Sequence, residues 1–128
     1  MRVLALDYGS ARCGCALSDP TGTLATPVAA IERPSSRKGM ARIASLVRER
    51  EVSAVVVGLP LGLSGEDTEQ TRETRAFALR LGAAVDVPVS LYDERFTTRI
   101  AERTGTHRTS EDSRAAAVLL EDWLARHG

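Results

Sequence analysis

The chain opens on an apolar stretch, Val3 to Tyr8, which predicts a buried strand that carries an aspartate, Asp7, close to its end. A second apolar stretch, Cys13 to Ser18, follows after "GSAR", a connection short enough to make a hairpin. "TPVAAI", Thr26 to Ile31, reads as a third strand after the turn "DPTG". From Ser36 to about Arg50, Met40, Ile43, Ala44 and Val47 recur at helical spacing, so an amphipathic helix comes next. It leads into "SAVVVGLP", a continuous apolar run with the length and valine content of a fully buried strand. The loop "GLPLGLSGED" separates that strand from a second helix, Thr68 to Ala84, whose inward face repeats at Thr74, Phe77, Ala78 and Leu81. "VPVSLYDER" is a fifth strand, "TTRIAER" a short helix with Thr97 as N-cap, and "TGTHRTSED" a polar connection. A last helix, from about Glu111 to Arg126, is apolar at Ala116, Leu119, Leu120 and Trp123.

Three strands followed by alternating helices and strands imply an α/β fold. The first strands pair antiparallel, the later βαβ units add parallel ones, and helices cover the faces of a mixed sheet. At 128 residues the chain suits one domain, 1–128, with no linker or repeat inside it. The N-terminus lacks the features of a signal peptide, and no apolar run approaches the roughly 20 residues that span a bilayer. The expected location is the cytoplasm, with no membrane partner. Cys13 and Cys15 lie two apart on one strand and face the same way, where pairing would strain the backbone. Two reduced, half-buried thiols are expected, and His107 and His127 are too far off in sequence to complete a zinc site.

Net charge is zero, which is not the balance of a strongly basic nucleic-acid protein. Distribution changes that picture. Lys38 is the single lysine among seventeen basic residues, and arginine's planar fork suits phosphate and base stacking. Composition alone does not separate this from a bias towards arginine without function. Arg95, Arg99, Arg103, Arg108 and Arg114 lie within twenty residues of one another, close to two acidic positions, so a local basic surface is expected.

Those acids are Glu94, near the end of the fifth strand, and Asp112, four residues before Ala116 on the last helix. With Asp7 they belong to three separate elements that can meet at one rim of the sheet, the edge where open α/β sheets bind ligands. Carboxylates gathered closely cannot all stay ionised without a cation. Mg2+ or Mn2+ takes oxygen ligands, and two such ions about 4 Å apart can serve the attacking and leaving oxygens of a phosphodiester. Each acid also has a structural use: Asp7 as a turn residue, Asp112 against a helix dipole, Glu94 in a salt-bridged loop. Spacing alone does not assign a nuclease.

Four ordered stretches add to that pattern. "ALDYGSARCGCALSD" resembles a DxGxxRxGxAxSD opening, "VVVGLPLGLSGEDTEQTR" a GLPxxxxG segment, "YDERFTT" a DERxTT signature, and "DSRAAAVLLEDWL" a C-terminal Asp followed by an Ala-rich helix. All four are motifs of the YqgF/RuvX family of Holliday-junction-resolvase-like proteins, also described as pre-16S ribosomal RNA nucleases. The resemblance spans residues 4 to 124 and implies a ribonuclease-H-like mixed five-stranded sheet flanked by helices. It implies Asp7, Glu94 and Asp112 as the catalytic, metal-binding set with Mg2+ or Mn2+, and Asp93 as the substitute should the strand aim that residue inward. Arg12 and Arg95 fall on motif arginines that would hold phosphates, and Thr97 and Thr98 on the TT pair, which either caps a helix or contacts phosphate. Gly58 and Pro60 shape the loop where another phosphate could bind. Cys13 and Cys15 stand where ordinary apolar residues are expected.

The resemblance implies a metal-dependent nuclease that processes structured RNA, namely the 5′ end of pre-16S ribosomal RNA. Resolution of branched DNA is the alternative within the same chemistry; two symmetric cuts would require a two-fold homodimer. An actin-like ATPase would need a second lobe for which the chain has no room. A binding protein that keeps a nuclease fold without turnover is a third class.

Overall fold

The computed structural model describes the backbone of residues 1–94 and 108–127, and the side chains of 1–94 and 113–127. Five strands form one sheet: β1 Val3–Asp7, β2 Arg12–Ser18, β3 Ala25–Glu32, β4 Ala54–Leu59 and β5 Val89–Asp93, in spatial order β3-β2-β1-β4-β5. β1 pairs antiparallel with β2, and β2 with β3, whereas β4 and β5 join parallel to β1. The expected mixed five-stranded sheet is therefore present. Among the described residues three helices accompany it: α1 Arg37–Glu49, α2 Glu69–Ala84 and α3 Arg108–His127.

Side chains alternate along each strand, so the sheet has two packed faces. Leu4, Leu6, Tyr8, Cys13, Cys15, Val55 and Val57 point to the face covered by α1 and α2, where Ile43, Phe77 and Leu81 complete the core. Val3, Ala5, Ala16 and Val56 point to the other face, against Ala116, Leu119 and Leu120 of α3. The helices start where their sequences supply caps. Ser36 Oγ accepts from Gly39 N at 3.0 Å before α1. Thr68 and Thr71 form a reciprocal capping box before α2.

Three boundaries or burials differ from expectation. Cys13 and Cys15 are free thiols as expected, but they are wholly buried, because a strand next to the central one has both faces covered. β5 is shorter than "VPVSLYDER": Pro88 has no N–H to give a ladder, and its carbonyl instead accepts from Val55 N at 2.9 Å. α3 begins at Arg108 rather than about Glu111, since the polar Thr109, Ser110 and Glu111 suit the first turn of a helix as readily as a loop. The predicted helix "TTRIAER", with Thr97 as its cap, lies outside the described residues.

No helix among the described residues is long and apolar enough to cross a membrane.

Candidate active site

Strand parity decides which carboxylates share a side of the sheet. Val3 and Ala5 face α3, so Asp7, two residues further along β1, occupies the same face at the strand's C-terminal end. On β5, Tyr92 also packs on the α3 side and hydrogen-bonds Asp122 of α3. Val89 packs on the opposite side and Asp93 shares its parity. Glu94, the first residue past β5, reaches the α3 side, where its carboxylate lies over Gly58 beside Leu119, so Glu94 rather than Asp93 shares the face of Asp7.

The strands beside Asp7 present glycine there. Its register partner on β2 is Gly14, and on β4 the register Leu6↔Val57 brings Gly58 to the adjoining position. The space above Gly58 is taken up by Glu94. A Cβ on Gly58 would lie 2.5 Å from Glu94 Oε2 and 3.2 Å from Leu119 Cδ2 of α3. Gly58 is thus the floor of a cradle in which the Glu94 carboxylate lies between β4 and α3.

The electrostatics of that cradle are unfavourable for charge. Burial, then repulsion by Asp7 and by Asp93, pushes the Glu94 carboxyl up to about 7. A buried carboxyl raised in this way by two neighbouring acids, at the C-terminal ends of parallel strands, marks a candidate functional site. Among the described residues no group of three or more His, Cys, Asp or Glu side chains assembles as a metal site. Asp112 stands in α3 one turn before the buried Ala116, but its side chain lies outside the described residues. Arg95, Thr97 and Thr98 lie outside them too.

Arg12 opens β2 at the same rim, exposed, and shares the parity of Gly14 and Ala16 on the α3 face. The hairpin that presents it is tight: a Cβ on Gly9 would come within 2.6 Å of the Arg12 carbonyl oxygen, a clash with backbone that only glycine avoids. Tyr8, beside Asp7, stacks on Phe77 at 4.5 Å between centroids and shares a 2.9 Å hydrogen bond with Ser35.

Two supports of the site escaped the sequence reading. Gly14 leaves the β2 side of Asp7 open; its signal was a glycine inside a strand pattern, which often marks a close approach. Ser113 is buried, donates to the Val28 carbonyl at 2.6 Å and accepts from Cys15 N at 3.3 Å, tying the start of α3 to β2 and β3. Its signal was a polar residue at helical spacing from Ala116, Ala117 and Leu120.

Comparison with known proteins gives the family. The profile of the RuvX family, described as Holliday junction resolvase, matches residues 1–126. The chain belongs to the RuvX family. A protein of Maridesulfovibrio salexigens named "Putative pre-16S rRNA nuclease" is 39% identical over 134 residues, covering 98% of this chain and 99% of its relative. One of the same name from Anaeromyxobacter sp. strain Fw109-5 is 41% identical over 136 residues, with 99% of each chain covered. Among solved structures, T. thermophilus RuvC in complex with a Holliday junction substrate superposes with a TM-score of 0.63 at 16% identity, covering 100% of this chain and 97% of that one. The Fowlpox virus resolvase with Holliday junction DNA gives 0.54 at 11% identity, covering 97% and 99%. At such identities the likeness establishes the fold alone, the ribonuclease-H-like fold of resolvases. Family and relatives place this RuvX chain among the nucleases, hydrolases of phosphodiester bonds.

Proposed function

We propose that this RuvX protein is a divalent-cation-dependent nuclease acting in 5′-end maturation of pre-16S ribosomal RNA, the substrate named for its relatives. The observation that carries the reading is the pressing together of the Asp7 and Glu94 carboxylates over Gly58. Without a counter-charge, burial and like charge push the Glu94 carboxyl up to about 7, so it is only partly ionised at neutral pH. An all-oxygen donor set fits Mg2+ or Mn2+ and suits neither a thiolate nor an imidazole site. Asp7 and Glu94 would hold the cation, and Asp112 is the third donor assigned by the helical position one turn before Ala116. When bound, such ions polarise phosphoryl oxygens and make water a stronger nucleophile.

The chain's own residues do the rest. Asp7, at the end of β1, and Glu94, directly after β5, would hold the cation at the C-terminal edge of the sheet. Arg12 reaches a phosphate at the rim with a forked, charge-assisted contact, and Arg95 with Thr97 and Thr98 is assigned to a neighbouring phosphate. Gly58 leaves the room that the Glu94 carboxylate needs beside Asp7. Water attacks phosphorus in line, and the bond to the 3′ oxygen breaks, leaving a 5′-phosphate and a 3′-hydroxyl.

The test is cleavage of a labelled precursor-rRNA 5′ fragment and of a four-way DNA junction in Mg2+, Mn2+ or EDTA, for wild type and Asp7→Asn. Cation-dependent cleavage of the RNA that falls about 10³-fold in Asp7→Asn is expected, the effect of losing several kcal/mol of charge stabilisation. Cleavage of the junction in preference to RNA would select the resolvase activity for which the family is described. Asp7→Asn cutting as fast as wild type would remove Asp7 from the site.

A further inference from the structure

The second feature that the fold sets apart is a groove on the opposite face of the sheet. β3 is an edge strand, and α1 covers it incompletely, leaving a cleft of about 420 Å³ between them. Its floor is apolar, with Val28 and Ile31 from β3 and Leu46 from α1. Its wall is basic. Lys38 and Arg42 line it from one face of α1, at i and i+4, and Arg50, just past the helix and about 18 Å along its axis from Lys38, lines the far end. One carboxylate, Glu49, lines it with them, so the groove carries a net positive charge. Among the described residues no salt bridge to Lys38, Arg42 or Arg50 is found; Arg75 pairs with Asp67 and Arg126 with Asp122 elsewhere. In a chain of zero net charge this is an unbalanced concentration of cations.

The groove also leads from the candidate active site. Glu32, at the end of β3, pairs with Arg12, and Arg33 N donates to the Ala11 carbonyl at 2.9 Å. Ser35, in the β3–α1 corner, meets Tyr8 next to Asp7. The start of α1 therefore sits at the rim that holds Asp7, with Arg33 and Arg37 exposed beside it, and the basic stripe runs away from there.

We propose that the α1–β3 groove is a binding track for a single-stranded stretch of nucleic acid flanking the scissile bond, with phosphates on Lys38, Arg42 and Arg50. The proposal rests on the nuclease reading above. Over about 18 Å a nucleic-acid backbone presents several phosphates to these cations. The cleft runs between a single helix and a single edge strand, so it follows one backbone rather than enclosing the two strands of a duplex. Aromatic residues are missing from the lining, so bases have no stacking platform and the track recognises backbone charge rather than sequence. Salt dependence should be its signature.

The test is fluorescence anisotropy of a short, unstructured, fluorescein-labelled RNA in EDTA, titrated at several salt concentrations. It compares wild type, the double variant Lys38→Gln/Arg42→Gln and Asp7→Asn, with thermal unfolding to confirm that each is folded. For a single strand each phosphate contact contributes about −0.7 to the slope of log affinity against log salt. The double variant should lose about 1.4 from that slope and bind about 25-fold more weakly at 0.1 M salt, the factor that slope gives relative to 1 M. Asp7→Asn should bind at least as tightly as wild type. Equal affinity and slope in the double variant and wild type would overturn the proposal, as would a duplex that binds more tightly than the single strand and weakens equally in the double variant. Cleavage in Mn2+ by the same preparations separates the two readings. A wild type that binds as described yet cuts nothing sinks the nuclease and leaves the track, whereas cleavage with unchanged binding in the double variant sinks the track alone.

Discussion

At the end of the sheet where β2 turns towards β3, Asp19 accepts hydrogen bonds from Thr23 N and Leu24 N, each at 2.8 Å, and from the Thr21 hydroxyl. At the opposite end, Glu94 lies under α3 with Asp7 and Asp93 as its charged neighbours. The backbone donor of Leu24, then the Thr21 hydroxyl, holds the Asp19 carboxyl well below the usual carboxylate range. Burial and like charge push Glu94 the other way, up to about 7. Both are acids next to strand ends. The first is satisfied by its own turn; the second is held where burial and like charge oppose its ionised form. A carboxylate that its fold opposes is the one to look to for chemistry.

The largest expected effect comes from closing the cradle. In Gly58→Ala the new methyl would sit 2.5 Å from Glu94 Oε2, and a flexible side-chain end gives way more readily than the sheet does. Leu119 must also yield by a few tenths of an ångström, so stability falls by about 1–3 kcal/mol. Displacing the carboxylate by about 1 Å should lower cleavage about 10²-fold. The check is the cleavage assay beside a chemical unfolding curve; a folded Gly58→Ala with wild-type turnover would show that the position of Glu94 is irrelevant.

How far this contrast was legible in the sequence depends on how local its causes are. The alternation of Val3, Ala5 and Asp7 against Leu4, Leu6 and Tyr8 is written in the chain, and so are the helical faces of Met40 and Ile43 and of Phe77 and Leu81. Element order followed from them. The pairing of Asp7 with Glu94 rather than Asp93 was less accessible, because it depends on β4 lying between β1 and β5 and on which face α3 occupies. Gly14 and Ser113 are harder still, since each acquires meaning only from a partner far along the chain: Asp7 across the hairpin, Cys15 and Val28 across the core. The basic groove was hidden for a related reason. Lys38, Arg42 and Arg50 look like an ordinary solvated helix face until β3 is seen to be an edge left partly open.

The second prediction tests the energetic side of the contrast. A carboxyl whose folded value is raised favours the neutral form, so its contribution to stability is complete below about 4.5 and disappears as pH rises through about 7. In EDTA the wild type should therefore lose stability across that interval. Glu94→Gln, which cannot ionise, should not. At pH 8 it should be the more stable protein, by on the order of 3 kcal/mol, and the difference should close by pH 4.5. Urea unfolding at a series of pH values measures it, and a wild type equally stable at both ends of the interval would dismiss the buried repulsion. Adding Mn2+ at pH 8 should raise the wild type and leave Glu94→Gln nearly unmoved, because a ligand that binds only the folded protein stabilises it in proportion to its occupancy.

The smallest effect is expected at Asp19, and its value lies in its sign. Here the folded value is depressed, so the stabilising contribution is present above the ordinary aspartate range and is lost as pH falls through the lower folded value. Asp19→Asn keeps an acceptor oxygen for the turn but removes the charge that draws the Leu24 and Thr23 amides and the Thr21 hydroxyl inward. Its melting temperature should lie below that of wild type at pH 7, and the gap should narrow on acidification, opposite in direction to the gap produced by Glu94→Gln. Cleavage should stay within about twofold of wild type, the range of a surface change remote from the site. If Asp19→Asn instead mirrored Glu94→Gln in pH dependence, or lost cleavage, a carboxylate's donors and neighbours would not separate the two ends of this sheet.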